Sequence, residues 1–446
     1  MSIQPDDHPA QLLPRTETTM DRPVTIHTGE FVLKGENAEI PLTGTVYFKW
    51  FPSHGTAFEG NSGEPIRLRK EHNFDLYIGE ENLGSCFLTN VSGEQHFRGV
   101  FKSSCITGEQ NIAVESIEFE IFNLRDFTGH GVRKGPKSYA NNLLTLEDDR
   151  HMVMLFKHID HENERKALRW QGSYQALYSG RLNYKNPRQP LTFENSRDTF
   201  DALSLFLTFL NGRRCSPIFR KGMFGEETKW TDYTPYHTDK QKAVHSWPPY
   251  QPQFDYSKLW QRFLELHKDP DEKEVLNTLV HSYIRANGHV FLPFEGISLT
   301  ANALELLFNY LIVEKKKIIA GKDVENLQAS NKIRLVLSQL GLENHIPDSF
   351  SAIRNYKNSI PEFRGADAPE LFTQIRNIIV HGQFEKRKKL AAIPADVLWE
   401  MLSLSIWYVE LSILYVLDYQ GSYRNRTLDV QYVGEGEENV PWYRER

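Results

Sequence analysis

Apolar and polar residues alternate with a period of two through much of residues 22–125, a pattern typical of strands that bury one face. Gly, Asn and Ser residues, which favour turns, interrupt the runs. The alternation predicts an antiparallel, sandwich-like β-region. A helix with leucines and a phenylalanine on one stripe is predicted at residues 197–211. The predicted strands lie at residues 24–33, 40–51, 73–78, 114–122, 151–159 and 170–182.

After residue 255 the apolar positions recur every three or four residues, which indicates amphipathic helices. Gly, Pro and Asn residues separate these segments. The last segment is apolar on almost every side, so we expect it to be buried in a bundle or at a subunit interface. The predicted helices lie at residues 256–268, 271–287, 298–319, 323–340, 349–359, 368–381 and 395–419.

These patterns predict an α+β protein of more than one domain, in keeping with the 446 residues of the chain. We expect a disordered tail at 1–20 and a β-rich region at 21–252, which the sequence allows to divide near 130–145. An all-α domain is expected at 253–446.

The composition is that of an ordinary soluble protein, with 40% hydrophobic and 25% charged residues. A net charge of −6 argues against a protein that coats nucleic acid, so any such site must be a local patch. Three widely spaced cysteines suit neither a disulfide framework nor a zinc site, which favours a reducing compartment. The N-terminal residues lack the features of a signal peptide. We therefore expect a cytoplasmic location.

Arg376, Asn377 and His381 bring a cation, an amide and an imidazole together near the end of one predicted helix. An Arg followed five residues later by His is not distinctive by itself, since it occurs five times: Arg22/His27, Arg67/His72, Arg125/His130, Arg262/His267 and Arg376/His381. A polar helix face exposed to solvent is the ordinary explanation for such a pair.

The surroundings of the last pair set it apart from the other four. Asp367 is a suitable N-cap with Glu370 three residues later, and Gly382 is a suitable C′ residue. At about 100° per residue, Arg376, Asn377 and His381 share a face with Val380. The opposite face carries apolar residues for the core, namely Leu371, Phe372, Ile375, Ile378 and Ile379.

This trio is the polar equipment needed to cut RNA without a metal. The 2′-hydroxyl of RNA can attack the neighbouring phosphorus once a group accepts its proton, and a cation stabilises the charge that develops. The imidazole of His381 suits proton transfer near neutrality, and the guanidinium of Arg376 suits the phosphate. Asn377 can orient the imidazole or hold a phosphate oxygen. One histidine per chain leaves acid and base incompletely assigned, which favours a dimer.

Other charged residues near the motif are candidates for supporting roles. Glu305 and Glu410 lie in apolar helical stretches, where Arg376 is an attractive partner for either, although each can instead point to solvent at a helix edge. A run of four basic residues follows the motif and suits RNA binding, although such a run is often a solvated loop. It comprises Lys386, Arg387, Lys388 and Lys389. Three histidines, His151, His158 and His161, lack a ligand scaffold, so no metal site or cofactor is predicted.

The helical domain, with Arg-Asn-x-x-x-His-Gly near its end, resembles a HEPN domain (higher eukaryotes and prokaryotes nucleotide-binding) over residues 256–425. The segments 303–307 and 407–421 contribute to this resemblance, and the β-rich region with residues 206–214 resembles ApeA-type anti-phage proteins. A homodimer whose two Arg-His motifs line one RNA-cutting cleft is what the resemblance implies. Some HEPN proteins are nucleotidylated on a Tyr two residues after the His, where this chain has Gln383.

The function expected from this resemblance is metal-independent endoribonuclease activity in anti-phage abortive infection. Such a toxin leaves 2′,3′-cyclic phosphate and 5′-OH ends on host RNA, with transfer RNA as a candidate target. The β-rich region would be a sensor for a phage protein. The alternative, from another class, is a non-catalytic HEPN module that dimerises or binds nucleotide beside a β-rich ligand-binding region.

Overall fold

The computed structural model describes residues 9–444 apart from 17, 68–71, 128, 136–137, 187, 251–255, 289–292, 431 and 433, and apart from the side chains of 131 and 133–141. The chain forms two compact units. The first comprises residues up to Leu207 with Cys215–Ala243, and the second comprises Thr208–Arg214 with Val244–Arg446. The predicted division between residues 252 and 253 lies outside the described residues.

Six antiparallel strands of the first unit close into a barrel in the order β1-β2-β3-β6-β5-β4. The end of β1, Val32–Lys34, pairs with β4 as well as with β2 and so completes the ring. The predicted sandwich-like arrangement is wrong here, because alternation marks the buried face of a strand but not its partners. The strands are β1 (Val24–Lys34), β2 (Glu39–Lys49), β3 (Gly55–Asn61), β4 (Asn73–Ile78), β5 (Glu81–Ser92) and β6 (His96–Phe101).

Eight further strands form an antiparallel sheet in the order β7-β14-β13-β8-β12-β11-β10-β9. Every residue of β8 is buried, as expected for a central strand. The helices of this part are α1 (His161–Gln171) and α2 (Phe193–Asn211). The strands are β7 (Ile106–Gly108), β8 (Ser116–Phe122), β9 (His130–Gly135), β10 (Ser138–Glu147), β11 (His151–Lys157), β12 (Ala176–Tyr184), β13 (Pro217–Phe224) and β14 (Glu227–Asp232).

Two sequence predictions for this region need correction. The strand predicted from residue 170 begins only at Ala176, since Trp170 belongs to α1. The predicted split near 130–145 falls on the paired strands β9 and β10, whereas the barrel gives way to the sheet between Phe101 and Ile106. Turn-forming residues are frequent at both places, so composition alone does not separate a hairpin from a domain boundary.

The prediction of a disordered tail is wrong for residues 9–16, which contact the rest of the first unit. Residues 1–8 lie outside the described part. Leu12 is buried in a cluster with Leu143 and Phe156. The Arg15 guanidinium forms ion pairs with Glu118 at 2.9 Å and Glu226 at 2.7 Å. This segment is anchored because one apolar and one cationic side chain find distant partners that local sequence does not reveal.

The second unit is helical, and four of the seven predicted helices agree with the structure within two residues at each end. The single helix predicted at 323–340 is instead two, Lys322–Asn326 and Ala329–Gln339, and the helix predicted at 298–319 begins earlier, at Pro293. Phe308–Lys315 continues α5 as a π-helix, and α10 was not predicted. A short hairpin, β15 (Ser422–Arg424) with β16 (Glu437–Asn439), lies near its end. The α-helices are α3 (Tyr256–Lys268), α4 (Pro270–Gly288), α5 (Pro293–Leu307), α6 (Lys322–Asn326), α7 (Ala329–Gln339), α8 (Ser351–Ser359), α9 (Ala368–Val380), α10 (Phe384–Ala391) and α11 (Ala395–Val416).

Two helical stretches, Pro293–Lys315 and Ala395–Val416, are long and apolar enough to cross a membrane by length and composition alone. The most apolar window of Ala395–Val416 is 78% buried inside the protein, and that of Pro293–Lys315 is 56% buried. Buried core helices of soluble proteins have the same composition, and both stretches are consistent with a soluble protein.

Candidate functional site

Helix α9 carries the candidate trio, and its start is firmly capped. The Asp367 carboxylate accepts a hydrogen bond of 2.9 Å from the backbone N–H of Glu370, as the sequence predicted. Arg334 of α7 donates two further hydrogen bonds to Asp367, at 2.7 and 2.8 Å. Partial burial alone would raise the pKa of Asp367, but the hydrogen bonds from Arg334 and Glu370 hold it below its ordinary value. The cap fixes where α9 begins and thereby which residues reach its far end.

The two faces of α9 follow the sequence prediction. Leu371, Phe372, Ile375 and Ile378 are buried, Arg376 and Asn377 are half-buried, and His381 is exposed. Val380 is 47% exposed. The trio therefore lies on the accessible side of a helix whose other side is core.

The end of α9 differs from the expected Gly-capped helix. Val380 is the last helical residue, and His381 has an extended backbone at φ −90° and ψ 106°. Gly382 is not among the glycines with positive φ, so it does not form a left-handed cap. The backbone N–H of His381 still donates to the Asn377 carbonyl at 3.3 Å, which keeps the imidazole beside the last turn.

Arg376 and Asn377 are brought into direct contact. Nη1 of Arg376 donates to Oδ1 of Asn377 at 3.2 Å. Within the described ranges, the Arg376 guanidinium has no carboxylate within 4 Å, so its charge is available. The His381 side chain forms no hydrogen bond with either residue in that part of the chain. One chain thus supplies a cation and an amide together, with the imidazole one turn further along.

Arg376 also lines a small cavity of about 50 Å³ with residues from α5 and α7. Among them, Lys332 pairs with Glu305 at 2.9 Å, and its Nζ lies 5.5 Å from the centroid of the Phe308 ring. Lys332 was missed from sequence because it is one of many lysines on helices, and only the packing of α7 against α5 and α9 brings it near Arg376.

The supporting role predicted for the two glutamates is not what the structure shows. Glu305 is 55% exposed and pairs with Lys332 instead of Arg376. Glu410 is fully buried, and both of its oxygens accept hydrogen bonds of 2.9 Å from Arg426. Tyr283 also donates to Glu410 at 2.6 Å. Glu410 therefore belongs to a neutralised pair in the core, because the chain after α11 returns to supply a cation that helix periodicity could not foresee.

The basic run after the motif forms the middle half of α10. Arg387 donates to the Gly382 carbonyl at 2.9 Å, and Lys389 pairs with Glu362 at 2.8 Å. Lys388 lies 3.8 Å from Glu385 and 4.3 Å from the centroid of the Phe384 ring. Lys386 is half-buried and has no ion pair in the described part of the chain. The cations are thus on a helix next to His381, and two of the four are engaged by exposed carboxylates.

The three histidines of the first unit have separate surroundings. His151 contacts Asp148 at 3.0 Å. His158 is buried between Glu120 and Glu164, with its ring nitrogens 3.6 and 3.4 Å from their carboxylates. Although burial opposes it, these carboxylates raise the pKa of His158 to about 9. Among the described residues, no group of three His, Cys, Asp or Glu side chains is placed to hold a metal ion.

The environment of His158 predicts a pH-dependent contribution to stability. A pKa raised to about 9 in the folded state makes this contribution complete below the unfolded pKa, about 6.5. The contribution is lost as the pH rises through the folded value. We expect the difference in unfolding free energy between wild type and His158→Gln to shrink by on the order of 2 kcal/mol between these pH values. Denaturant titrations test this, and a difference that is constant or grows with pH contradicts it.

The fold defines a two-part α+β protein, in which a β-rich unit precedes a helical unit that carries the α9 face. Residues 109–244 match the model of the YopA central domain, and residues 269–438 match that of the YopA C-terminal domain. The chain is similar to the SPbeta prophage-derived uncharacterized protein YopA of Bacillus subtilis (strain 168), with 27% identity over 440 residues and 96% of each chain covered. No solved structure matches the chain. Neither model is described as HEPN or ApeA, so those resemblances remain predictions.

Proposed function

We propose that the helical unit is a HEPN-type, metal-independent endoribonuclease that acts as a homodimer. The observation that carries the proposal is the accessible face of α9, where Arg376 contacts Asn377 and His381 is exposed one turn away. The guanidinium has no carboxylate within 4 Å among the described residues, unlike Arg334 and Arg426, which are held by carboxylates. An uncompensated cation beside an exposed imidazole suits a phosphodiester substrate.

In the proposed reaction, an imidazole accepts the proton of the 2′-hydroxyl, and the resulting oxyanion attacks phosphorus. The P–O bond to the 5′-oxygen breaks, and that oxygen takes a proton, leaving a 2′,3′-cyclic phosphate and a 5′-hydroxyl. Arg376 stabilises the charge on the non-bridging oxygens, and Asn377 holds the guanidinium or an oxygen in place. One group must remove the proton of the 2′-hydroxyl and another must give a proton to the 5′-oxygen. His381 of a second chain therefore completes the site.

Surface features near His381 suit both a second chain and RNA. Val380 and Phe384 are 47% and 60% exposed, which offers apolar contact area on either side of the histidine. Lys386, Arg387 and Lys388 on α10 supply positive charge for flanking phosphates. We therefore place the dimer interface and the RNA path on the same side of the bundle.

We place this activity in anti-phage abortive infection in the cytoplasm, with the β-rich unit sensing a phage protein. The similar Bacillus subtilis protein is prophage-derived by name, which supports a phage-related setting. Transfer RNA is the first substrate to examine. The absence of Tyr at Gln383 argues against control by nucleotidylation of that position.

The proposal is tested by incubating the purified full chain with total RNA and with transfer RNA in excess EDTA. Cleavage is expected to continue in EDTA and to leave cyclic phosphate ends, detected as 3′ phosphates that a phosphomonoesterase cannot remove until mild acid opens the ring. If the β-rich unit restrains the nuclease, co-expression with phage genes supplies the trigger. Intact RNA under all of these conditions would favour the alternative, a non-catalytic module that dimerises or binds nucleotide.

A further inference from the structure

A polar cavity of about 420 Å³ lies in the first unit, far along the chain from α9. It is lined by one face of α1 together with residues of β10, β11 and the loop after β8. Its volume falls within the range of small-molecule sites. Four Lys or Arg side chains line it against two carboxylates, although the whole chain is acidic: Lys157, Arg165, Lys166 and Arg169 face Asp126 and Glu162.

Ion pairs leave part of this positive charge uncompensated. Asp126 is shared by Lys157 and Arg165, each at 2.6 Å, so two cations meet one carboxylate. Lys166 pairs with Glu162 at 3.0 Å. Arg169 is exposed and has no ion pair in the described part of the chain. His158 is protonated at pH 7 but is held between two glutamates, so that group contributes one net negative charge. The cavity lining and these partners together therefore keep one net positive charge.

His161 supplies a second, independent observation. This residue lines the cavity and is only 8% exposed, and its Nε2 has no hydrogen-bond partner among the described residues. Burial, together with Lys157 and Arg165, lowers the pKa of His161 to about 4, so the ring is neutral at pH 7. A buried nitrogen without a partner is costly, and an oxygen of a ligand would satisfy it.

We propose that this cavity binds a phosphate monoester of about the size of a nucleoside monophosphate. Arg165, Arg169 and Lys157 would hold the phosphate, since guanidinium groups match its oxygens in charge and geometry. The amide of Asn142 and the Asp126 carboxylate line the same cavity and suit the hydroxyl groups of a sugar. The site would give the β-rich unit a small-molecule ligand, and it does not depend on the nuclease proposal.

Isothermal titration of the full chain with adenosine 5′-monophosphate, ribose 5-phosphate, inorganic phosphate and uncharged adenosine tests this inference. We expect saturable binding of the two esters that weakens with added NaCl, and weaker binding of adenosine. Arg169→Gln is expected to lower the affinity about tenfold, a loss typical of one charge-assisted contact. Binding of inorganic phosphate as tight as that of the esters would limit the site to the phosphate group and overturn the monoester assignment.

The matched control is Arg150→Gln, which removes an exposed arginine of the same unit that does not line the cavity. It is expected to leave the affinity unchanged. Arg165→Gln serves as a second variant, with thermal unfolding to show that α1 remains folded. No saturable binding of either ester, equal losses in Arg169→Gln and Arg150→Gln, or adenosine binding as tightly as its monophosphate would each overturn the proposal.

Discussion

Replacing His381 with alanine is expected to lower RNA cleavage by about a hundredfold or more, the usual contribution of a positioned acid or base. The side chain is exposed and forms no hydrogen bond within the described residues, while the backbone N–H that joins it to Asn377 is kept by alanine. The fold should therefore be unaffected. Initial rates on a labelled RNA in EDTA, with circular dichroism of both proteins, measure the effect.

His345→Ala is the matched control, since His345 is also an exposed histidine of the helical unit and its side chain is 64% accessible. It pairs with Glu343 and lies before α8, away from the α9 motif. We expect its cleavage rate to equal that of wild type. Equal rates for His381→Ala and wild type would rule out His381 as the proton-transfer group, and equal losses in both variants would point to a general effect of histidine removal.

Replacing Glu410 with alanine is expected to destabilise the helical unit by about 3–5 kcal/mol. The carboxylate is fully buried and accepts hydrogen bonds from Arg426 and Tyr283, so its removal leaves a buried guanidinium uncompensated. Arg426 is itself almost inaccessible, with 5% of its side chain exposed. Urea titration followed by circular dichroism measures the loss as a lower midpoint for the helical unit.

Two comparisons make this result specific. Glu305→Ala removes a glutamate that is 55% exposed and should cost no more than about 1 kcal/mol. Glu410→Leu combined with Arg426→Met removes both charges and should be less destabilising than Glu410→Ala, because no unpaired charge remains. A loss below about 1 kcal/mol in Glu410→Ala would show that the buried pair contributes little.

Helix α9 could be predicted in detail because its determinants are local. The Asp367 cap, the buried stripe through Leu371 and Ile378, and the accessible side with Arg376 all follow from residues within one helix. The exception is its last turn, where an extended His381 replaced the expected left-handed Gly382. Glycine permits that cap but does not require it, and the following helix α10 set the path of the chain.

The sequence could not predict which residues far apart in the chain contact each other. The periodicity of α11 shows that Glu410 is enclosed, but not that Arg426 meets it from beyond the helix. Likewise, alternation in β1 predicts a strand, but not that Val32–Lys34 pairs with β4 to close a barrel. The same limit applies to Leu12 and Arg15, whose anchoring depends on residues more than a hundred positions away.

Barrel closure also restricts where an extended peptide could pair with the first unit. Each strand of the ring pairs with two others, but β1 meets β4 only through Val32–Lys34 among the described residues, so Val24–Phe31 pairs with β2 alone. The closed ring therefore narrows, but does not remove, the stretches of strand that could accept a further strand. A proline substituted within Val24–Phe31 would block such an addition at this edge.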